Sequence, residues 1–410
     1  MRAVLLLALL ALLALPGAQG HAADSDSDSD SAAAAERGRY VAVTANCVSC
    51  HTRAGGEPFA GGLALQTPLG TLHTTNITPD ADTGIGRWSL GDFRRAMRRG
   101  IAADGSYLFP AFPYTAYTRM SDTEIADLYA YLRRLAPVRY TPPENDALLG
   151  VRWPMMAWNA LFLQEGPYQP DPAQTPEWNR GAYLVQGPGH CGACHTPRNL
   201  LLAEDDTRAL QGGVVTGEVA PGLQRAWFAV NLRNVKHGLA AWTPKDLGMY
   251  FAKGYSMRGA SFGPMNEVIT NSLSQLRPED QRAIATYLRS REGVEYAGPV
   301  VSAAEADAGA GIYKEHCAEC HQANGRGNFL KAPALAGNAV VQGESPASLI
   351  NLILHGPALA ESLRYGAWEE MPAFGKKLSD AQAAALANYL RGSWGNRAAP
   401  VTAEQVAAQR

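Results

Sequence analysis

Six cysteines occur in the 410-residue chain, and all fall in three pentapeptides of one spacing: Cys47-Val-Ser-Cys50-His51, Cys191-Gly-Ala-Cys194-His195 and Cys317-Ala-Glu-Cys320-His321. Two thiols so spaced can add to the two vinyl groups of one porphyrin, and the histidine that follows can ligate its iron. A structural zinc site needs four soft ligands, which three isolated Cys pairs do not supply. A redox disulfide needs neither the histidine nor three copies. The spacing therefore predicts three covalently bound haem c groups, tethered by Cys47, Cys50, Cys191, Cys194, Cys317 and Cys320 and ligated by His51, His195 and His321. Every thiol is then used, and none is left for a disulfide.

A methionine opposite the histidine raises the potential of such an iron and closes it to substrates. The second motif is followed by Met265 in Phe262-Gly263-Pro264-Met265-Asn266-Glu267, with Met257 as its only nearby competitor, and the third by Met371 in Trp368-Glu369-Glu370-Met371-Pro372-Ala373-Phe374. The first departs from this pattern. Alignment of Met371 through Asp380 with Phe112 through Asp122 puts Phe112 in the methionine slot, and phenylalanine cannot bind iron. Met120 is the nearest substitute ligand, although it aligns with Leu276 and Leu378, which read as packing residues ahead of a helix. His73, Met97 or an open site are the alternatives. His190, His237, His316 and His355 fall in no recognisable metal or triad arrangement, so core or surface roles are expected of them.

The elements that must hold these groups repeat along the chain. A short helical segment with a glycine and an aromatic precedes each motif: Gly38-Arg39-Tyr40, Gly181-Ala182-Tyr183 and Gly309-Ala310-Gly311-Ile312-Tyr313. A helix carrying Tyr-Leu-Arg ends each repeat, entered at Ser121-Asp122, Pro278-Glu279 and Ser379-Asp380. The first two repeats also share their middles, Asn76-Ile77 to Trp88-Ser89 being echoed by Asn231-Leu232 to Trp242-Thr243. Trp88 and Trp242 are expected in the core at helix starts.

Arg2 precedes an apolar run from Ala3 to Leu15, broken at Pro16 and followed by small residues, which predicts an export signal over 1–22. The run is too short to span a bilayer, which takes about 20 apolar residues. The Asp/Ser repeat that follows makes 23–35 an expected solvated tether. With 36 basic and 38 acidic residues, the charge balance offers no case for nucleic-acid binding. Pro-rich breaks divide the remainder into domains at 36–140, 177–296 and 304–396, with linkers at 141–176 and 297–303 and a tail at 397–410. No strand pattern of any length is visible. The predicted fold class is all-α, three tandem class I cytochrome c domains.

Thr75-Asn76-Ile77-Thr78-Pro79-Asp80, Pro110-Ala111-Phe112-Pro113-Tyr114, Gly263-Pro264-Met265-Asn266-Glu267-Val268 and Ser393-Trp394-Gly395-Asn396 resemble the tri-haem cytochrome c subunits of membrane-bound bacterial dehydrogenases, the alcohol and gluconate 2-dehydrogenase family. The resemblance covers about residues 36–396. It implies an exported electron-transfer subunit at the periplasmic face of the cell membrane. Its expected partner is a catalytic subunit, a quinoprotein, flavoprotein or molybdenum enzyme, that oxidises an alcohol, sugar acid or aldehyde. The acceptor it implies is ubiquinone or a terminal oxidase. Family members often carry methionine where Phe112 stands, and variants with phenylalanine resemble cytochromes that accompany molybdenum hydroxylases. No catalytic site of its own is expected. The contrasting readings are a peroxidase-type haem enzyme with an open first haem and a soluble periplasmic shuttle. The aromatic stretch Trp153–Leu163 suits the inner-membrane surface or packing between the first two domains.

Overall fold

The computed structural model describes residues 22–220, 223–329, 331–357 and 370–410. The expected export signal lies, but for its last residue, outside them.

Three times, an early helix crosses a late one: Ala22–Thr44 against Asp122–Leu132, Pro176–Gln186 against Pro278–Ser290, and Ala303–His316 against Asp380–Gly392. The repeated glycine explains the closeness of each crossing. A Cβ on Gly38 would lie 1.8 Å from the carbonyl oxygen of Asp127, one on Gly181 1.9 Å from that of Ala283, and one on Gly309 2.1 Å from that of Ala385. In the third crossing the aromatic packs within the pair, with Tyr313 5.0 Å from Tyr389 between ring centroids. Capping boxes start the first and third late helices at Ser121/Glu124 and Ser379/Gln382, while Pro278 opens the second at its first turn.

Each crossing closes its own buried cluster. Val41, Phe93, Met120 and Leu128 belong to the first, Leu184, Trp242, Leu247 and Leu288 to the second, and Tyr313, Ile350, Phe374 and Leu390 to the third. The first two units dock reciprocally. Tyr40 donates to Asp280 at 2.6 Å, and Tyr183, which holds the place of Tyr40 in the second unit, donates to Glu124, which holds the place of Asp280 in the first.

Two expectations need correction. The chain is helical with small sheets rather than all-α: among the described residues are three two-stranded antiparallel ribbons, Ala64–Thr67 with Gly70–His73, Gly213–Ala220 with Leu223–Ala229, and Tyr255–Ser256 with Gly259–Ala260. The longest ribbon escaped notice because adjacent residues Trp227 and Phe228 are both buried, 4 % and 6 % exposed, which removes the polar alternation of a one-sided strand. Its second strand is held by the third unit, through Phe228 N to Ser348 Oγ at 2.8 Å and Asn351 Nδ2 to the Ala226 oxygen at 2.8 Å. The second correction concerns the Asp/Ser tether, which is helical back to Ala22. Ala32–Ala35 carry the packed helix toward the repeat, and extending a formed helix costs far less than nucleating one.

Candidate haem sites

Each CxxCH pentapeptide winds into a single helical turn, Cys47–Cys50, Gly192–His195 and Ala318–His321. One local device orients all three histidines. His51 Nδ1 lies 2.6 Å from the Thr75 oxygen, His195 Nδ1 2.7 Å from that of Val230, and His321 Nδ1 2.9 Å from that of Pro333. A carbonyl only accepts, so Nδ1 carries the proton and the Nε2 lone pair faces away, free for a metal. The three acceptors occupy equivalent places, directly before Asn76, Asn231 and Ala334. Desolvation outweighs the carbonyl bond and keeps each imidazole below the ordinary histidine range, hence neutral and able to ligate.

The thiols stand in apolar surroundings. Desolvation pushes Cys47 and Cys191 up to about 12 and Cys50 and Cys317 up to about 11. The Cys194 thiol is close enough to Cys50 to add to that push. Such groups suit thioether bonds to an apolar ring better than free thiolate chemistry.

His195 and Met265 of the second unit and His321 and Met371 of the third line one continuous cavity of about 340 Å³. Its walls are apolar and include Trp242, Leu276, Phe262 and Leu390. Met265 enters on the first turn of the helix Pro264–Asn271, behind Gly263 at φ 51°. The Trp227 ring covers that turn, and a Cβ on Gly263 would meet it at 2.9 Å. Met257 lies elsewhere, in the Tyr255–Ala260 ribbon, with its carbonyl accepting from Ala334 N. Imidazoles, thioethers and thiols lining one apolar cavity are the groups a covalent haem requires, so these residues fit the group. Bound there, haem c supplies a reversible one-electron carrier.

In the first unit Phe112 packs on Tyr117, with ring centroids 5.4 Å apart. Met120 is fully buried in the same cluster, where Cys47 also packs. Its counterpart Leu276 is part of the cavity wall and its counterpart Leu378 is buried. Of the alternatives, Met97 is core, and His73 Nδ1 sits 3.1 Å from the Glu144 oxygen. Trp242 is both a core residue and part of the cavity wall.

Sequence reasoning missed three residues around these sites. His190 lines the cavity beside Cys191, Tyr117 packs against His190, and Trp227 covers the Met265 turn. The one local signal was Pro221-Gly222 between two apolar runs, a turn dipeptide that marks a hairpin.

A family model described as Cytochrome c matches residues 35–136, and one described as Cytochrome C oxidase, cbb3-type, subunit III, matches residues 304–390. The gluconate 2-dehydrogenase cytochrome c subunit of Pantoea cypripedii is 39% identical over 92% of this chain and 89% of its own length. The chain belongs to the family of dehydrogenase cytochrome c subunits. The alcohol dehydrogenase (quinone) cytochrome c subunit of Gluconacetobacter polyoxogenes is 39% identical over 90% of this cytochrome c subunit and 83% of its own length. A nicotinate dehydrogenase subunit of Pseudomonas putida is 44% identical over 87% of this chain, which spans only 30% of that relative. The resemblance expected from the motifs thus holds along most of the sequence, and covalently bound haem c is the cofactor of this cytochrome c subunit.

Proposed function

We propose that this subunit carries three haems in three tandem cytochrome c domains and passes electrons from a dehydrogenase catalytic subunit to ubiquinone or a terminal oxidase. The observation that carries this reading is the threefold recurrence of one arrangement, a CxxC turn followed by a histidine whose Nδ1 is fixed on a carbonyl. The middle unit has the same crossed helices and glycine contact as its neighbours, which supports counting it as a third domain. His195 with Met265 and His321 with Met371 are the axial pairs of the second and third haems. His51 ligates the first, and Met120 is its thioether.

The partner's substrate class follows from the relatives' names, which speak of gluconate, alcohol and nicotinate dehydrogenases. We assign this subunit to a catalytic partner that oxidises an alcohol, sugar acid, aldehyde or related carbon centre. Phe112, which the resemblance links to cytochromes that accompany molybdenum hydroxylases, favours such a partner over a quinoprotein or flavoprotein. The working place is the periplasmic face of the cell membrane. Among the described residues no helix is long and apolar enough to cross a bilayer. The helix Pro154–Phe162 buries Trp158 against Tyr114 and exposes Met156 and Leu161 beside Trp153, which suits attachment at the membrane surface.

Relatives named as dehydrogenase subunits favour electron carriage over peroxide chemistry. The test is purification from membranes of the native host. Copurification with a catalytic subunit whose substrate reduces the haems supports the proposal, and a haem protein that no copurifying dehydrogenase can reduce contradicts it.

A further inference from the structure

The carbonyl that orients His195 belongs to Val230, and the next residue is Asn231, which is buried. That carbonyl and the Asn231 nitrogen share one planar peptide, so whatever fixes Asn231 also aims the carbonyl. The Asn231 side chain is held at both ends. Its Oδ1 accepts from Arg233 N at 2.7 Å, and its Nδ2 lies 3.0 Å from His237 Nε2. The first bond settles which end of the amide is oxygen, so Nδ2 donates and His237 Nε2 accepts. His237 is thereby kept as a neutral imidazole with its proton on Nδ1. The other two units end this arrangement differently. Asn76, after Thr75, donates to the Val138 oxygen at 2.7 Å and to Thr83 Oγ1 at 3.1 Å, neither of which titrates. After Pro333 stands Ala334, which has no side-chain amide.

An imidazole loses its accepting nitrogen when it takes a proton, and His237 is placed to take one. It lines a second cavity, of about 330 Å³, together with Arg208, Glu295, Tyr296 and Glu344. Its Nδ1 is buried with no hydrogen-bond partner among the described residues, and Glu295 Oε2 stands 3.8 Å away. The same Glu295 carboxylate accepts from Lys236 N at 3.1 Å, Arg208 is paired with Glu344, and the Tyr296 ring centroid lies 6.2 Å from that of the imidazole. Burial keeps His237 below the ordinary histidine range against the pull of Glu295 and Glu344, so the neutral form prevails at neutral pH.

We propose that His237 is a positioning residue for His195: through Asn231 it fixes the Val230 carbonyl, and its protonation loosens that carbonyl and raises the potential of the second haem. The inference rests on the reading above that His195 ligates that haem. A proton taken from solvent at His237 Nε2 sets two donors, this nitrogen and Asn231 Nδ2, against each other. Asn231 then shifts, and the bond from His195 Nδ1 to the Val230 oxygen weakens. A histidine whose Nδ1–H is less firmly bonded is a poorer donor to iron, and the new positive charge in the same unit acts in the same direction. Both favour the ferrous state.

The test uses the full chain with its haems attached. Haem content is measured first, and the three potentials are then titrated at a series of pH values on either side of about pH 6.5, the ordinary histidine value. In the wild type one potential is expected to rise as pH falls below that value. His237→Gln keeps an oxygen that can accept from Asn231 and cannot take up a proton. It is expected to hold that potential at its neutral-pH value and to lose the rise. His237→Leu leaves the Asn231 amide without an acceptor, and is expected to shift the same potential upward even at neutral pH while the other two stay as they were. The proposal is overturned by a wild type that shows no such rise, by a rise that persists in full in His237→Gln, or by three unshifted potentials in His237→Leu. A product lacking the haem at Cys191 and Cys194 contradicts the tri-haem reading and overturns this inference with it, whereas failure in a protein that holds all three haems overturns the inference alone.

Discussion

Asp280 accepts the Tyr40 hydroxyl at 2.6 Å while receiving Arg180 through both carboxylate oxygens at 2.7 and 2.8 Å. One carboxylate thus ties the helix pair of the second unit together and docks that unit on the first. Burial pushes Asp280 up, but the bonds from Arg180 and Tyr40 outweigh it and hold the carboxyl below its ordinary range.

A folded value below the unfolded one, about 3.9, means a contribution that is complete above that pH and lost as pH falls through the folded value. Asp280→Asn should cost about 1–2 kcal/mol at neutral pH, a partly exposed pair being discounted for solvent screening, and should flatten the loss of stability below about pH 4. Denaturation curves of both proteins across that range check this. An acid limb unchanged by the substitution would show that Asp280 does not govern it.

Gly181→Ala and Gly309→Ala should each destabilise the protein by about 1–3 kcal/mol or more, because the added methyl meets a backbone carbonyl rather than a movable side chain. Thermal unfolding checks it. Gly311, whose Cβ would meet nothing within 4 Å, is the control, and Gly311→Ala should be neutral or slightly stabilising.

Met265→Leu and Met371→Leu preserve volume in an apolar wall and remove the sulfur, so folding should survive at a cost below about 1.5 kcal/mol. Each should lower the potential of one haem and open that iron to carbon monoxide. Redox titration with carbon monoxide difference spectra reads this directly. A variant with wild-type potentials and no new carbon monoxide binding would remove that methionine from the ligand set.

The first haem is decided by Met120→Leu and Phe112→Met. Loss of Met120 should change the spectrum and lower the potential of one haem while the other two stay as they were. If that variant leaves every haem unchanged, and wild-type ferrous protein already binds carbon monoxide at one site, the first iron is open. Phe112→Met should then close it by returning a thioether to the slot that the other two units use.

The motifs were legible because they are local. CxxCH spacing, the Gly and Tyr of the crossing helices and the methionine loops are set within a few residues or by helical period, and Met265 and Met371 line the same cavity as His195 and His321. What the sequence hid depends on distant neighbours. Trp227 and Phe228 lie on a strand buried on both faces, which carries no alternation. His190 read as an ordinary core or surface histidine because its partner Tyr117 lies 73 positions earlier and reaches it only when two units dock. The helical Asp/Ser repeat has no apolar face to announce it, and takes its form from the packed turns that follow.

The most direct test of the central claim is the intact mass of the exported protein, made in a host that attaches haem to CxxCH motifs, together with its haem-to-protein ratio. The account predicts a mass increase of three haems and a ratio of three. A product with two haems or fewer, retaining free thiols at any of Cys47, Cys50, Cys191, Cys194, Cys317 or Cys320, would contradict it.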